Sequence, residues 1–177
     1  DPALLPKAEI IRDKGTNRSQ FLRGEVNKYT WVGLGSSYQP SDILAAYLLA
    51  QLEKGPEILQ RRLALWNRYM EGLSGWASEH GVRLPSVPAG CSHPAHLFYM
   101  VMPSQDSRNR LLGMLHERGV LAVFHYQPLH RSKMSSGDFG CPVTEEIASR
   151  LVRLPLYLDM TEGEQDTVMK AVTRFDP

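Results

Sequence analysis

Leu59, Leu63, Trp66, Met70 and Leu73 recur at intervals of three and four, the period of a helix with one inward face. Just upstream, Ile43-Leu44-Ala45-Ala46-Tyr47-Leu48-Leu49-Ala50-Gln51-Leu52 is apolar almost throughout. It follows Pro40-Ser41-Asp42, where Ser41 or Asp42 is placed to cap a helix. Gly55-Pro56 ends one helix and begins another. A long helical segment, kinked near Gly55, is therefore expected from Ser41 to about Glu79 and closed by Gly81. Leu84-Pro85-Ser86-Val87-Pro88-Ala89-Gly90 is too rich in proline for the centre of a sheet, and reads as a loop.

Beyond Leu84 the pattern becomes α+β. His96–Met102 predicts a strand, Ser104–Arg118 a helix with Leu111, Leu112 and Leu115 inward, and Val120–Phe124 a second strand. His130–Pro142 is a polar loop, Glu145–Arg150 a short helix and Leu151–Leu154 a third strand. Thr161–Phe175 closes the chain as a helix, with Thr161 and Glu164 at capping-box spacing. Three strands with helices on one face make a small α+β layer. Before Ser41 the chain is more polar. Lys7–Asp13 reads as a short helix stopped by Gly15, Thr16–Gly24 as irregular, and Lys28–Val32 as a short β-like run. This first half is not expected to close a core alone.

Composition narrows the function classes. The 177 residues carry 20 basic and 19 acidic side chains, net +1, and no basic run, so nucleic acid is not the default partner. The run Ile43–Leu52 falls short of the ~18–20 apolar residues of a membrane span and is interrupted by Tyr47 and Gln51. Asp1–Pro6 lacks the basic and apolar regions of a signal peptide. Cys91 and Cys141 do not make a disulfide framework, and a reducing cytoplasm fits them. The chain opens on Asp1 rather than Met, so it is expected to be processed or cut from something longer.

Gly33-Leu34-Gly35-Ser36-Ser37, leading toward the helix at Ser41, is the foremost candidate for chemistry. Such a loop is expected to offer free amides, two hydroxyls and the positive end of a helix dipole to an anion, most often a phosphate. A plain turn capped by Ser41 is the alternative. A dinucleotide fold is disfavoured: the third glycine is missing, Pro40 intrudes and no strand follows at βαβ distance. Phe124-His125-Tyr126-Gln127-Pro128-Leu129-His130 gathers two imidazoles, a phenol and an amide at a strand end, suited to binding hydroxyls and phosphates. It reads equally as a capped turn. Arg18 and Arg23 could each grip a phosphate bidentately, or lie in a solvated loop. Cys91, His93, His96, His125, His130 and Cys141 allow a structural zinc. Only His125-x₄-His130 has a ligand spacing, and Pro128 keeps that pair off one helix face.

Several segments occur in an order that resembles the sugar-nucleotide aminotransferases of the DegT/DnrJ family. They are Lys14-Gly15-Thr16-Asn17-Arg18-Ser19-Gln20-Phe21, Lys28-Tyr29-Thr30-Trp31, Gly35-Ser36-Ser37-Tyr38, Ala45-Ala46-Tyr47 with Gln51-Leu52, His96-Leu97-Phe98-Tyr99, His125–His130 and Leu154-Pro155-Leu156-Tyr157. The resemblance covers nearly the whole chain. It implies an α/β protein of the aspartate-aminotransferase fold type I, seen in its C-terminal part. Residues 1–40 would end the large domain that binds pyridoxal 5'-phosphate (PLP), 41–80 would connect, and 81–177 would form the small α+β domain with a short sheet. The implied activity is transfer of an amino group from glutamate to the 4-keto carbon of a nucleotide-linked deoxysugar, in a cytoplasmic homodimer.

In the family the Schiff-base lysine and the aspartate on the cofactor ring lie upstream of the segment matching Lys14–Phe21. None of Lys7, Lys14, Lys28, Lys54, Lys133 and Lys170 stands in the family's lysine motif. This chain alone is therefore expected to be inactive. Many relatives have Gly-x-Asn-Tyr-Arg where this chain has Gly35-Ser36-Ser37-Tyr38-Gln39, and the asparagine reaches the cofactor phosphate of the neighbouring subunit. The resemblance thus assigns Ser37, with Ser36 beside it, to the cofactor. It assigns His125, Tyr126 and His130, with Arg18 nearby, to the sugar nucleotide. A catalytically inactive dimerisation or ligand-binding module of the same fold, or a small zinc-stabilised interaction domain, are the alternatives.

Overall fold

Asp1–Glu53 and Lys54–Pro177 are separate units of the chain in the computed structural model, which describes residues 1–135 and 140–177. The division falls inside the segment 41–80. The predicted loop His130–Pro142 includes residues 136–139, which lie outside the described residues. Among the described residues no helix is long and apolar enough to cross a membrane.

The first unit holds α1 (Leu5–Arg12), α2 (Arg18–Leu22) and α3 (Asp42–Glu53). Helix α2 lies where the sequence reads as irregular. Its start is held from a distance: the Asp13 carboxylate accepts the Ser19 amide at 3.2 Å and the Ser19 hydroxyl at 2.5 Å. The β-like run Lys28–Val32 is not a strand. Only Trp31 pairs, with Thr16, while the Asn17 side chain accepts the Thr30 amide at 2.7 Å. Turn side chains, rather than a neighbouring strand, fix this segment. Helix α3 is apolar yet buries no residue; Ile43, Leu44, Tyr47, Leu48, Leu49 and Leu52 are all exposed in this chain. A helix apolar on every side ordinarily belongs in an interior.

The second unit has the core. Helix α4 (Gly55–Glu79) buries Leu65, Trp66, Tyr69, Leu73, Trp76 and Ala77. The two helices expected around a break at Gly55 are both present. The inward stripe of α4 is turned slightly from the predicted one: Tyr69 and Leu73 go deepest, Leu65 is buried beside them and Leu59 stays exposed. Strands β1 (Phe98–Val101) and β2 (Leu151–Leu154) pair antiparallel, Phe98 opposite Leu154 and Val101 opposite Leu151.

The expected third strand, Val120–Phe124, does not form. The Ala122 amide turns back to the Val120 carbonyl at 3.0 Å, so only Val123 reaches the sheet, pairing with Arg153. Arg83 bridges to Val101 in the same isolated way. Helix α5 (Gln105–Glu117) starts at a Ser104–Ser107 capping box, α6 (Pro142–Arg150) runs straight into β2, and α7 (Glu162–Thr173) starts at the predicted Thr161–Glu164 box. Three buried polar groups tie α4 to the C-terminal segments. The Tyr69 hydroxyl donates to Pro155 O at 2.9 Å, Trp76 Nε1 to Phe175 O at 3.0 Å, and Gln165 Nε2 to Leu65 O at 2.6 Å. Each satisfies a donor that burial would otherwise penalise.

Candidate functional site

In the first unit, Gly35 of the loop has backbone packed where a Cβ would point, while Gly33 does not. A Cβ on Gly35 would sit 1.8 Å from the Gly15 nitrogen and 2.1 Å from the Lys14 carbonyl carbon. Gly15, at φ +81°, accepts the Val32 and Gly33 amides on its carbonyl at 2.8 and 3.1 Å. The Ser36 amide donates to Ile11 O at 2.9 Å, and its hydroxyl lies 3.5 Å from the same oxygen. The loop is thus clamped to the end of α1, and the expected free amides are partly used inside the unit.

Helix α3 begins at Asp42, five residues beyond Ser37, with the Leu44 amide 3.4 Å from Ser41 Oγ. Its dipole is therefore not applied at Ser36 and Ser37, and Asp42 places a negative charge in its first turn. Ser37 is exposed and makes no hydrogen bond among the described residues, so its hydroxyl is free to donate to a phosphate.

The two arginines of the polar segment have different fates. Arg23 is committed: it takes Glu9 through both terminal nitrogens, at 2.8 and 3.0 Å, and Glu25 through Nε at 2.6 Å. These carboxylates raise the Arg23 pKa, and Arg23 in turn lowers that of Glu25. Arg23 is thus no open phosphate ligand. Arg18, the first residue of α2, is exposed and without an ion pair among the described residues. The next residue, Ser19, is bonded to Asp13, whose pKa is lowered chiefly by the Ser19 hydroxyl and then by Arg12.

In the second unit the segment Phe124–Arg131 leaves the sheet where Val123 pairs with Arg153. The rings of His125 and Tyr126 stack at 4.5 Å, yet they line different clefts. His125 joins His96, Arg153 and Leu156 around about 290 Å³. Tyr126 joins Gln127, Arg131, Arg108 and Glu145 around about 310 Å³. His130, in the 3-10 turn Leu129–Arg131, bonds through Nε2 to Glu145 at 2.8 Å, and Arg131 reaches the same oxygen at 2.7 Å. His130 and then Arg131 lower the Glu145 pKa. The geometry brings His125 and Tyr126 together, and fixes His130 to an acid that sequence reading did not single out.

Sequence reading also passed over Arg108. It shares the inward phase of α5 with Leu111 and Leu115, and that charge on an apolar stripe was the available signal. The zinc alternative finds no ligand set: among the described residues no three His, Cys, Asp or Glu side chains converge, and His93 packs on the Trp66 ring at 4.4 Å.

Comparison with known proteins gives a consistent picture. The model of the DegT/DnrJ/EryC1/StrS aminotransferase family matches residues 1–173. A dTDP-4-dehydro-2,3,6-trideoxy-D-glucose 4-aminotransferase of Saccharopolyspora spinosa is 30% identical over 173 residues, covering 95% of this chain and 44% of that protein. The crystal structure of the aminotransferase TlmJ from Streptoalloteichus hindustanus superposes with a TM-score of 0.83 at 26% identity, over 98% of this chain and 45% of that one. The PLP form of a sugar aminotransferase, Spr1654 from Streptococcus pneumoniae, shares the fold with a TM-score of 0.74 at 21% identity, over 94% of this chain and 41% of that one. The chain thus spans somewhat under half the length of these relatives.

Proposed function

The chain belongs to the DegT/DnrJ/EryC1/StrS aminotransferase family, and on that premise we propose that it is the C-terminal part of a PLP-dependent sugar-nucleotide aminotransferase. The reaction moves an amino group from glutamate to the 4-keto carbon of a dTDP-linked 4-keto-6-deoxysugar, giving dTDP-4-amino-4,6-dideoxygalactose. The observation that carries this reading is the family match along nearly the whole chain, supported by a 30% identical relative that is a dTDP-sugar 4-aminotransferase. The enzyme works as a homodimer in the cytoplasm, in keeping with two free cysteines.

PLP, when bound, supplies the electron sink for the carbon that gains or loses nitrogen. The residues present fit one wall of its phosphate cradle. Ser37, exposed and without a hydrogen bond among the described residues, would donate its hydroxyl to the phosphate of the partner subunit's cofactor. Ser36 anchors the loop through its amide bond to Ile11. No cation assists within this loop, because Gln39 stands where many relatives have arginine. Arg18 in the first unit, and His125, Tyr126 and His130 in the second, are assigned to the sugar nucleotide. His130 is oriented for this by Glu145. The lysine that carries the cofactor is supplied from outside these 177 residues, so the chain alone does not catalyse.

Mixing this chain with a polypeptide carrying the lysine-bearing region of the family, with PLP, glutamate and either dTDP-4-keto-6-deoxyglucose or its 2,3-dideoxy analogue, tests the reading. Amino sugar formed by the mixture from the first substrate, and by neither polypeptide alone, is expected. Preference for the dideoxy analogue would overturn the assignment of product. Turnover by this chain alone would overturn its dependence on a second segment.

A further inference from the structure

Arg108 is nine-tenths buried, at 9% exposure, and makes no hydrogen bond or ion pair through its guanidinium among the described residues. Its Nε is fully enclosed and has no partner. Among the described residues, the contact that engages its charge is the Phe124 ring, 5.2 Å from the guanidinium carbon. A guanidinium cannot shed its proton to escape burial, although burial does lower its pKa. A buried charge of this kind ordinarily has a counterion.

Among the described residues none is provided. Glu145 lines the same cleft, but one of its oxygens is already shared by His130 at 2.8 Å and Arg131 at 2.7 Å. Of the residues lining the cleft, Arg108 and Arg131 against Glu145 leave one positive charge in excess. Arg150 makes the contrast plain. Its Nε is also buried and unpartnered, yet its terminal nitrogens reach Glu146 and, at 3.3 Å, Pro103 O. Arg108 has no such second anchor.

The space beside it is about 310 Å³, and Tyr126 and Gln127 line it with polar groups that are otherwise uncommitted among the described residues. That is room for a small oxyanion and its water. The cleft lies wholly within the second unit and shares Tyr126 with the residues assigned above to the sugar nucleotide, but anion binding there is tested without the aminotransferase reaction.

We propose that Arg108, with Arg131, Tyr126 and Gln127, forms a binding site for a single oxyanion, a phosphate group or a carboxylate, seated in the guanidinium fork of Arg108. Both ligands present paired oxygens to that fork.

The test is made on the 177-residue chain labelled with nitrogen-15. The Arg108 Nε–H resonance is assigned by its loss in Arg108→Lys, and followed as sodium phosphate or, separately, sodium acetate replaces sodium chloride at constant ionic strength. A saturable shift at Arg108 Nε–H and at the Tyr126 ring with either anion is expected. Saturation by phosphate alone identifies a phosphate ligand, and by acetate alone a carboxylate. Arg108→Lys keeps the charge and loses the fork, and should weaken binding by about tenfold or more. No saturable shift at the wild-type Nε–H overturns the proposal, whether or not the variant folds. So does undiminished affinity in a folded Arg108→Lys chain.

Discussion

Gly35→Ala tests whether the glycine loop is held by backbone contact. The new methyl would lie 1.8 Å from the Gly15 nitrogen and 2.1 Å from the Lys14 carbonyl carbon, and both obstacles are backbone. No rotamer change relieves such a clash, so the loop must move away from Gly15 by more than an ångström. Three hydrogen bonds are at stake: Val32 and Gly33 amides to Gly15 O, at 2.8 and 3.1 Å, and the Ser36 amide to Ile11 O at 2.9 Å. At roughly 1 kcal/mol each, the change costs about 2–4 kcal/mol of local stability. Amide hydrogen exchange is the direct assay. Protection at Val32, Gly33 and Ser36 should fall by about 30- to 1,000-fold, or to the level of an open loop if the wild-type opening energy is smaller. Gly33→Ala is the internal control, since its methyl would meet only Ile10 Cγ2 at an ordinary 3.6 Å. Unchanged protection in Gly35→Ala, or equal losses in the two variants, would refute the reasoning.

Tyr69→Phe should destabilise the second unit by about 1–2 kcal/mol, because it strips the donor from the buried Pro155 carbonyl, 2.9 Å away; an unchanged urea midpoint would count against that bond. Glu145 should titrate below its ordinary value of 4.5, since His130 and Arg131 hydrogen-bond to the ionised form. A depressed folded pKa means the stabilisation is complete above 4.5 and is lost as the pH falls through the folded value. Carbon-13 NMR of the Glu145 carboxyl measures this, with His130→Ala shifting the titration upward; a wild-type midpoint at or above 4.5 would exclude the pairing. Gly113→Ala, on α5 with open space around the added methyl, should stabilise the second unit by about 0.5–1 kcal/mol in the same urea assay, and a loss would show crowding there.

Where signals are local, sequence and structure agree. Ser104 and Thr161 start α5 and α7, Lys54 separates α3 from α4 before Gly55-Pro56, and Leu151–Leu154 is a strand as expected. The disagreements come from interactions that sequence periodicity does not contain. Helix α2 follows Asn17, but that side chain turns to the Thr30 amide, and the Ser19 amide is accepted instead by Asp13, six residues earlier. Val120–Phe124 has strand composition, but the Ala122–Val120 turn spends the backbone before it can pair. Gly33 and Gly35 suggest a phosphate loop, whereas Gly35 answers to the Gly15 backbone, a contact between residues twenty positions apart. Of the candidate residues, Ser37 and Arg18 are exposed and make no side-chain hydrogen bond among the described residues, whereas Arg23 is claimed by Glu9 and Glu25. The apolar run Ile43–Leu52 reads as a buried helix, yet α3 buries no residue in this chain, because no other element of the described residues covers it.

The central claim is that this chain supplies walls of a PLP site but not the lysine that carries the cofactor. Incubating the chain with PLP, reducing with borohydride and mapping the peptides by mass tests it directly. No stoichiometric pyridoxyl label is expected on Lys7, Lys14, Lys28, Lys54, Lys133 or Lys170. One equivalent of label on a single one of these lysines would contradict it.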